Sequence, residues 1–274
     1  MKGQTKFLMA AGMIILLFGQ PSCQQDEPLA PELKSAVLTP SANDYTGQNG
    51  RTHYSQAKPL GEGNVKAWIA VDLEGNPIAV GVKLSEEALI NLPGEMTSVS
   101  LTLPKNKGKN FYTHVTVDWN PHGHEPFFYE HPHFDFHFYA IPESERMMIP
   151  GGPGFDTPSP DPQYIPQDYM AGPGIVPQMG AHWIDGLAPE LPWNGGHMFT
   201  HTFIWGSYQG NFIFWEPMIT MEYLMSQPDE TFEVKQPAAY KRDGWYAHNY
   251  GIQYNPVPGE YVITLQNLQF HEGE

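Results

Sequence analysis

Residues 133–139, HFDFHFY, alternate polar and aromatic side chains at a period of two up to Phe138. A helix would scatter such residues around its circumference, whereas an extended strand sends alternate side chains to opposite faces. The pattern predicts a strand with Phe134, Phe136 and Phe138 on one face and His133, Asp135 and His137 on the other. The aromatic face enters a core, and the polar face meets a cavity or a second sheet. Histidine is concentrated in the same region: His114, His122, His124, His131, His133 and His137 are half of the chain's 12.

Neutral imidazole and carboxylate are ligands for a divalent transition metal, and a catalytic site keeps an open position beside them. Adjacent His and Asp can equally form a hydrogen-bond network that fixes a half-buried strand. His122 and His124, in a glycine-containing loop, supply further ligands. His133 and His137 lie roughly 13 Å apart on a straight strand at about 3.3 Å per residue, too far to share an ion with bonds of about 2 Å. Either the strand bends or one of them acts with Asp135, and the remaining ligands come from the 122–124 loop and from His182 in MGAHW. His182 is therefore expected within about 5 Å of His124, His133 or His137. Gly123 and Gly180 would let the backbone approach closely there. Asp135 and Glu216 are the candidates for general base or ligand-orienting group. Zinc is the first choice of cofactor, with iron, copper and manganese as alternatives. His197 and His201 fall with Phe199, Phe203 and Trp205 on one mostly aromatic strand face, which predicts structural hydrogen bonding.

The N-terminus has the form of a secretion signal. Lys2 and Lys6 precede an apolar run over 7–19, too short to span a membrane comfortably. It ends in QPSC, where the chain's 1 cysteine, Cys23, stands. This resembles a bacterial lipobox: Ser22 fits, and Gln20 departs from the usual Leu. The expectation is a signal peptide over 1–22, acylation of Cys23 as the link to a membrane, and a polar, proline-bearing tether over 23–52. That places the domain in the cell envelope, outside the cytoplasm. The formal net charge of -16 loses Lys2 and Lys6 on cleavage and becomes -18. A chain so acidic repels nucleic acid, which is not expected as a partner.

Aromatic residues at 13%, charged residues at only 16%, and 27 each of Gly and Pro describe a loop-rich β protein rather than a helical bundle. One β-rich domain over 53–274 is expected, all-β, as an antiparallel sandwich or jelly-roll-like fold. Hairpins are predicted at 67–84 around EGNP, at 200–215 around YQGN, and at 251–270 around PVPG. Short helices are predicted after Ser85 and over 218–227. Strands over 115–119, 133–139 and 200–205 should be central. Residues 142–177 are crowded with proline and glycine and read as a long arm wrapping the surface or a second subunit, anchored by Tyr164, Tyr169 and Met170. The arm makes a homo-oligomer one expectation.

The succession SEEALINLP, DWNPHGHEP, PHFDFHFY, MGAHW, HTFIWGSYQG and FWEPMIT resembles a bacterial secreted or lipid-anchored family built on a domain of unknown function. The resemblance covers roughly residues 60–265 and implies an extracytoplasmic β-rich fold; it carries no established reaction. Two functions follow from the residues. One is a metal-dependent hydrolase or lyase, its small-molecule ligand not specified by the sequence; the other is a non-catalytic binding or assembly protein whose histidine cluster is structural or stores metal. Nucleophile-elbow, phosphate-loop and dinucleotide fingerprints are absent.

Overall fold

The computed structural model describes residues 50–104, 109 and 111–274. The expected signal peptide, Cys23, nearly all of the expected tether and residues 105–108 and 110 lie outside the described residues. The domain's first strand begins at Arg51, two residues before the boundary expected.

The alternating runs form hairpins, and the hairpins build two sheets. In the first, β3 (Gly63–Val71) turns into β4 (Pro77–Ser85) with Ala67 opposite Val82. β13 (Gly244–Asn255) turns into β14 (Glu260–His271), and β14 lies along β4. β1 (Arg51–Tyr54) and β12 (Asp229–Glu233) close the edges, and β2 (Lys58–Leu60) pairs with β3. The second sheet runs β5 (Thr97–Thr102), β6 (His114–Asn120), β7 (His133–Tyr139), β11 (Asn211–Thr220), β10 (His201–Tyr208), β9 (Ala181–Asp185), β8 (Tyr169–Ala171). Every strand pairing among the described residues of both sheets is antiparallel. The three strands expected to be central are all interior to the second sheet.

One apolar cluster joins the two sheets. Phe134, Phe136 and Phe138, with Val115 and Val117, meet Ala67, Ile69, Val80, Val82, Ile263 and Leu265, all fully buried. The fold is thus a β-sandwich, and the aromatic face of β7 fills its centre. The face carrying His133, Asp135 and His137 turns away from this core to the outside of the second sheet.

The helix expected after Ser85 is only a 3-10 turn, Glu86–Leu89, and Ser85 gives it no side-chain cap. The later one is α2 (Met221–Met225), whose N-cap Thr220 accepts from the Tyr223 N–H at 3.2 Å. A further helix, α1 (Glu143–Arg146), opens the proline-rich arm.

The arm packs along the domain. Tyr164 is buried and donates its hydroxyl to the Glu274 carbonyl at 3.0 Å, and Tyr169 donates to the Phe203 carbonyl at 2.8 Å. Met170, expected as a third anchor, is exposed, because β8 is an edge strand and alternation turns its middle residue outward. His197 also departs from expectation. β10 begins at His201, so His197 is exposed outside the strand, and Phe199 joins a cluster on the outer face. His201 is the structural hydrogen-bonder predicted: its Nδ1 lies 2.9 Å from the Tyr250 hydroxyl.

Candidate functional site

Strand register gathers the polar residues of the second sheet's outer face. Asn120, Asp118 and Thr116 of β6 stand opposite His133, Asp135 and His137 of β7. On the other side of β7, Met218 of β11 stands opposite Asp135, and the same register carries Glu216 to His137. Ile204 of β10 pairs with Glu216, and His182 of β9 pairs with Gly206 of β10. A Cβ on Gly206 would overlap the Phe214 ring, so glycine lets that ring lie flat and back both His137 and His182, at centroid separations of 5.0 and 5.2 Å.

Among the described residues, two groups of three bring ligand atoms within 4.8 Å of one another: His137, His182 and Glu216, and His124, His133 and Asp135. In the first, His137 Nε2 lies 3.4 Å from Glu216 Oε1, and His182 Nε2 lies 3.6 Å from Glu216 Oε2. In the second, Asp135 Oδ1 lies 3.1 Å from His133 Nε2, and Asp135 Oδ2 lies 3.6 Å from His124 Nε2. His137 Nε2, Glu216 Oε2 and Asp135 Oδ1 are buried without a hydrogen bond, although each has an oppositely disposed partner nearby. Such orphaned atoms are costly unless something else binds them.

The structure meets the distance expectation for His182, which closes on His137 from a distant strand. It sends His133 and His137 to different groups, in keeping with their spacing along one strand. His122 enters neither group. It is exposed on the turn at Gly123 (φ +66). A Cβ at Gly123 would overlap the Tyr129 carbonyl, and one at Gly180 the Ser207 carbonyl, so both glycines serve the close approach expected of them. Both carboxylates predicted as catalytic, Asp135 and Glu216, stand among ligand atoms. Asp118 was not singled out by sequence, yet its Oδ2 lies 3.0 Å from His137 Nδ1 and accepts from the Thr116 hydroxyl at 3.2 Å. Its signal was available: it falls on the polar face of the strand preceding the histidine loop.

Electrostatics follow from burial and neighbours. Burial lowers the pKa of His137, but the charges of Glu216 and Asp118 outweigh it and carry it up to about 9. His124 also reaches about 9, burial being overcome by the hydrogen bond and charge of Asp135. Burial raises Asp135, yet His124 and His133 hold it well below the usual carboxylate range. Glu216 is pushed up to about 8 by burial, against the pull of His137. Burial and the charge of His137 depress His182 to about 3, so its ring is neutral at pH 7 with a lone pair to offer.

The groups share a pocket of about 400 Å³ that His124, Asp135, His137, His182 and Glu216 help to line. Its walls are apolar: Met96 and Pro126 on one side, Pro173, Val176 and Met179 of the arm and its continuation, and Ile184, Ile204 and Met218 from the sheet. No Lys or Arg is among the described residues lining it. Two apolar clusters on the outer face flank the polar residues, one around Tyr139, Ile149 and Phe214, the other around Tyr129, Phe199 and Met218.

Residues 72–119 match a family model. It is the TTHB210-like family, described as hypothetical protein TTHB210. The matched segment runs from the turn before β4 to the penultimate residue of β6. It includes Asp118 and stops short of His124, His133, Asp135, His137, His182 and Glu216. The chain is thus similar to an uncharacterised family over well under half its length, and the likeness brings no activity. No curated protein and no solved structure matches the chain significantly.

Proposed function

We propose that the chain is an extracytoplasmic, lipid-anchored metalloenzyme of hydrolytic or lyase type, with a divalent ion held by His137, His182 and Glu216. The spacing of the ligand atoms carries this reading. Ligands at 2.0–2.1 Å around a tetrahedral ion stand about 3.3 Å from one another. His137 Nε2 stands 3.4 Å from one Glu216 oxygen and His182 Nε2 3.6 Å from the other, neither as a hydrogen bond, and one ligand atom from each residue lies within 4.8 Å of the others. Two imidazoles and one carboxylate suit zinc first, and iron, copper or manganese as alternatives. An ion held there would supply Lewis-acid polarisation of a carbonyl or phosphoryl oxygen. The chain's own residues do the rest: Asp118 fixes the ring of His137 from behind, and the apolar walls exclude water and receive the carbon skeleton of a small substrate.

The envelope location rests on the basic start, the short apolar run and Cys23. Stable anchoring needs more than one acyl chain. A Cys23→Ala protein should lose partition into detergent; equal partition of variant and parent contradicts the anchor.

The enzyme reading is tested on protein purified without a histidine tag. Zinc or another transition metal should be present, and turnover of chromogenic carboxylic and phosphoric esters should be lost in His182→Ala. Metal-free protein that stays metal-free after reconstitution contradicts it. One observation favours the second reading, a structural cluster in a binding protein: His137 lies 3.0 Å from Asp118 and 3.4 Å from Glu216, so a protonated His137 finds its counter-charge within the protein. In that case chelators leave the melting temperature unchanged.

A further inference from the structure

The His124, His133 and Asp135 group is held in a way the first group alone does not explain. Nδ1 of His133 lies 2.6 Å from the His131 carbonyl, and Nδ1 of His124 lies 2.8 Å from the Glu125 carbonyl. A carbonyl oxygen only accepts, so in both rings Nδ1 is the protonated nitrogen and donates. In the neutral ring this leaves Nε2 bearing a lone pair. Both Nε2 atoms face the carboxylate of Asp135, at 3.1 and 3.6 Å. Asp135 Oδ2 accepts from the Asn120 amide at 2.7 Å, whereas the buried Oδ1 receives no hydrogen bond. The same amide stands 3.5 Å from His133 Nε2, again treating that nitrogen as an acceptor. A cation that displaces the proton Asp135 draws to His124 Nε2 would meet the lone pairs of two nitrogens and a carboxylate at one point. Imidazoles oriented through Nδ1 by backbone carbonyls are the usual arrangement around a bound metal.

We infer that the pocket holds a second divalent transition-metal ion, bound by His124, His133 and Asp135, beside the one at His137, His182 and Glu216. The inference rests on the reading of the first site and deepens it to a two-ion centre. Asp135 and His137 are two residues apart on one face of β7, about 7 Å along the strand, so the two ions are neighbours in one cavity. Each ion would supply a Lewis acid for an anionic or strongly polarised oxygen, as in phosphoric and carboxylic esters. The pocket's described lining contains no Lys or Arg to bind such an oxygen otherwise.

Metal counting separates the two claims. Tag-free protein is dialysed against zinc, washed through a desalting column, and its zinc is measured per chain. The wild type should carry about two ions; His124→Ala and His182→Ala should each carry about one; the double variant should carry none. His124 is 41% exposed in its side chain and sits on a loop, so its removal leaves the sheet intact. A thermal melt of each variant checks that it is folded, and Asp135→Asn serves as a second variant of the same group. One ion in the wild type, retained in His124→Ala and lost in His182→Ala, overturns the second site and keeps the first. One ion lost in His124→Ala but retained in His182→Ala overturns the two-ion centre and the first site together. No ion in the wild type overturns both.

Discussion

Asp118 stands behind His137, a ligand of the proposed ion. Its Oδ2 lies 3.0 Å from Nδ1 of His137 and accepts from the Thr116 hydroxyl, so its negative charge is held against that ring. Asp118→Asn should preserve shape and weaken zinc affinity by roughly 10–100-fold, measured by competition with a chromophoric chelator. Unchanged affinity would show that His137 needs no such support. His114 offers a separate residue-scale test. It is buried, stacked on Tyr139 at 4.7 Å, and burial depresses its pKa to about 4. The unfolded chain protonates first, at about 6.5, so this neutral imidazole's contribution is fully present above that pH. It is lost as pH falls towards about 4, on the order of 2 kcal/mol. Urea midpoints of the parent and His114→Phe should therefore converge or cross in favour of the variant between pH 7.5 and pH 4.5. A difference that does not change with pH contradicts the assignment.

Among the elements, β7 divides its work between two faces. Phe134→Ala and Phe136→Ala leave cavities between the sheets and should each cost about 3–5 kcal/mol, with zinc content unchanged. Equal loss of stability and of zinc would mean that the faces are not separable. This division was legible from alternation, as were the hairpins, because period-two patterning is a local property of sequence. The partition of the histidines into two groups was not. It depends on the register of β7 against β6 and β11 and on β9 arriving two strands farther across, and these are long-range pairings. Spacing along β7 did show that His133 and His137 could not share one ion on a straight strand. The 142–177 arm was legible as a wrap but not in its ties, which reach other parts of the chain: Tyr164 to the Glu274 carbonyl, Asp168 to Lys235, and β8 to β9. Tyr164→Phe, which removes the bond to Glu274, should cost about 1 kcal/mol without altering zinc binding. A neutral result would place the arm's stability in its apolar contacts.

At the scale of the molecule, the sandwich keeps two cores apart: an aromatic one between the sheets and a polar one outside the second sheet, covered in part by the arm. His182 belongs to the polar one only because the second sheet forms, so the proposed metal binding would be linked to folding. Zinc at about 100 times its dissociation constant should stabilise the domain by about 2.7 kcal/mol, and a chelator should remove that gain. The central claim is that the outer-face ligands hold a metal ion at all. Crystals of the tag-free, zinc-loaded protein, measured on both sides of the zinc edge, test it most directly. The account predicts an anomalous peak about 2.0–2.2 Å from His137 Nε2, His182 Nε2 and a Glu216 oxygen. A map with no anomalous density between those three side chains, from crystals soaked to saturation, would contradict it.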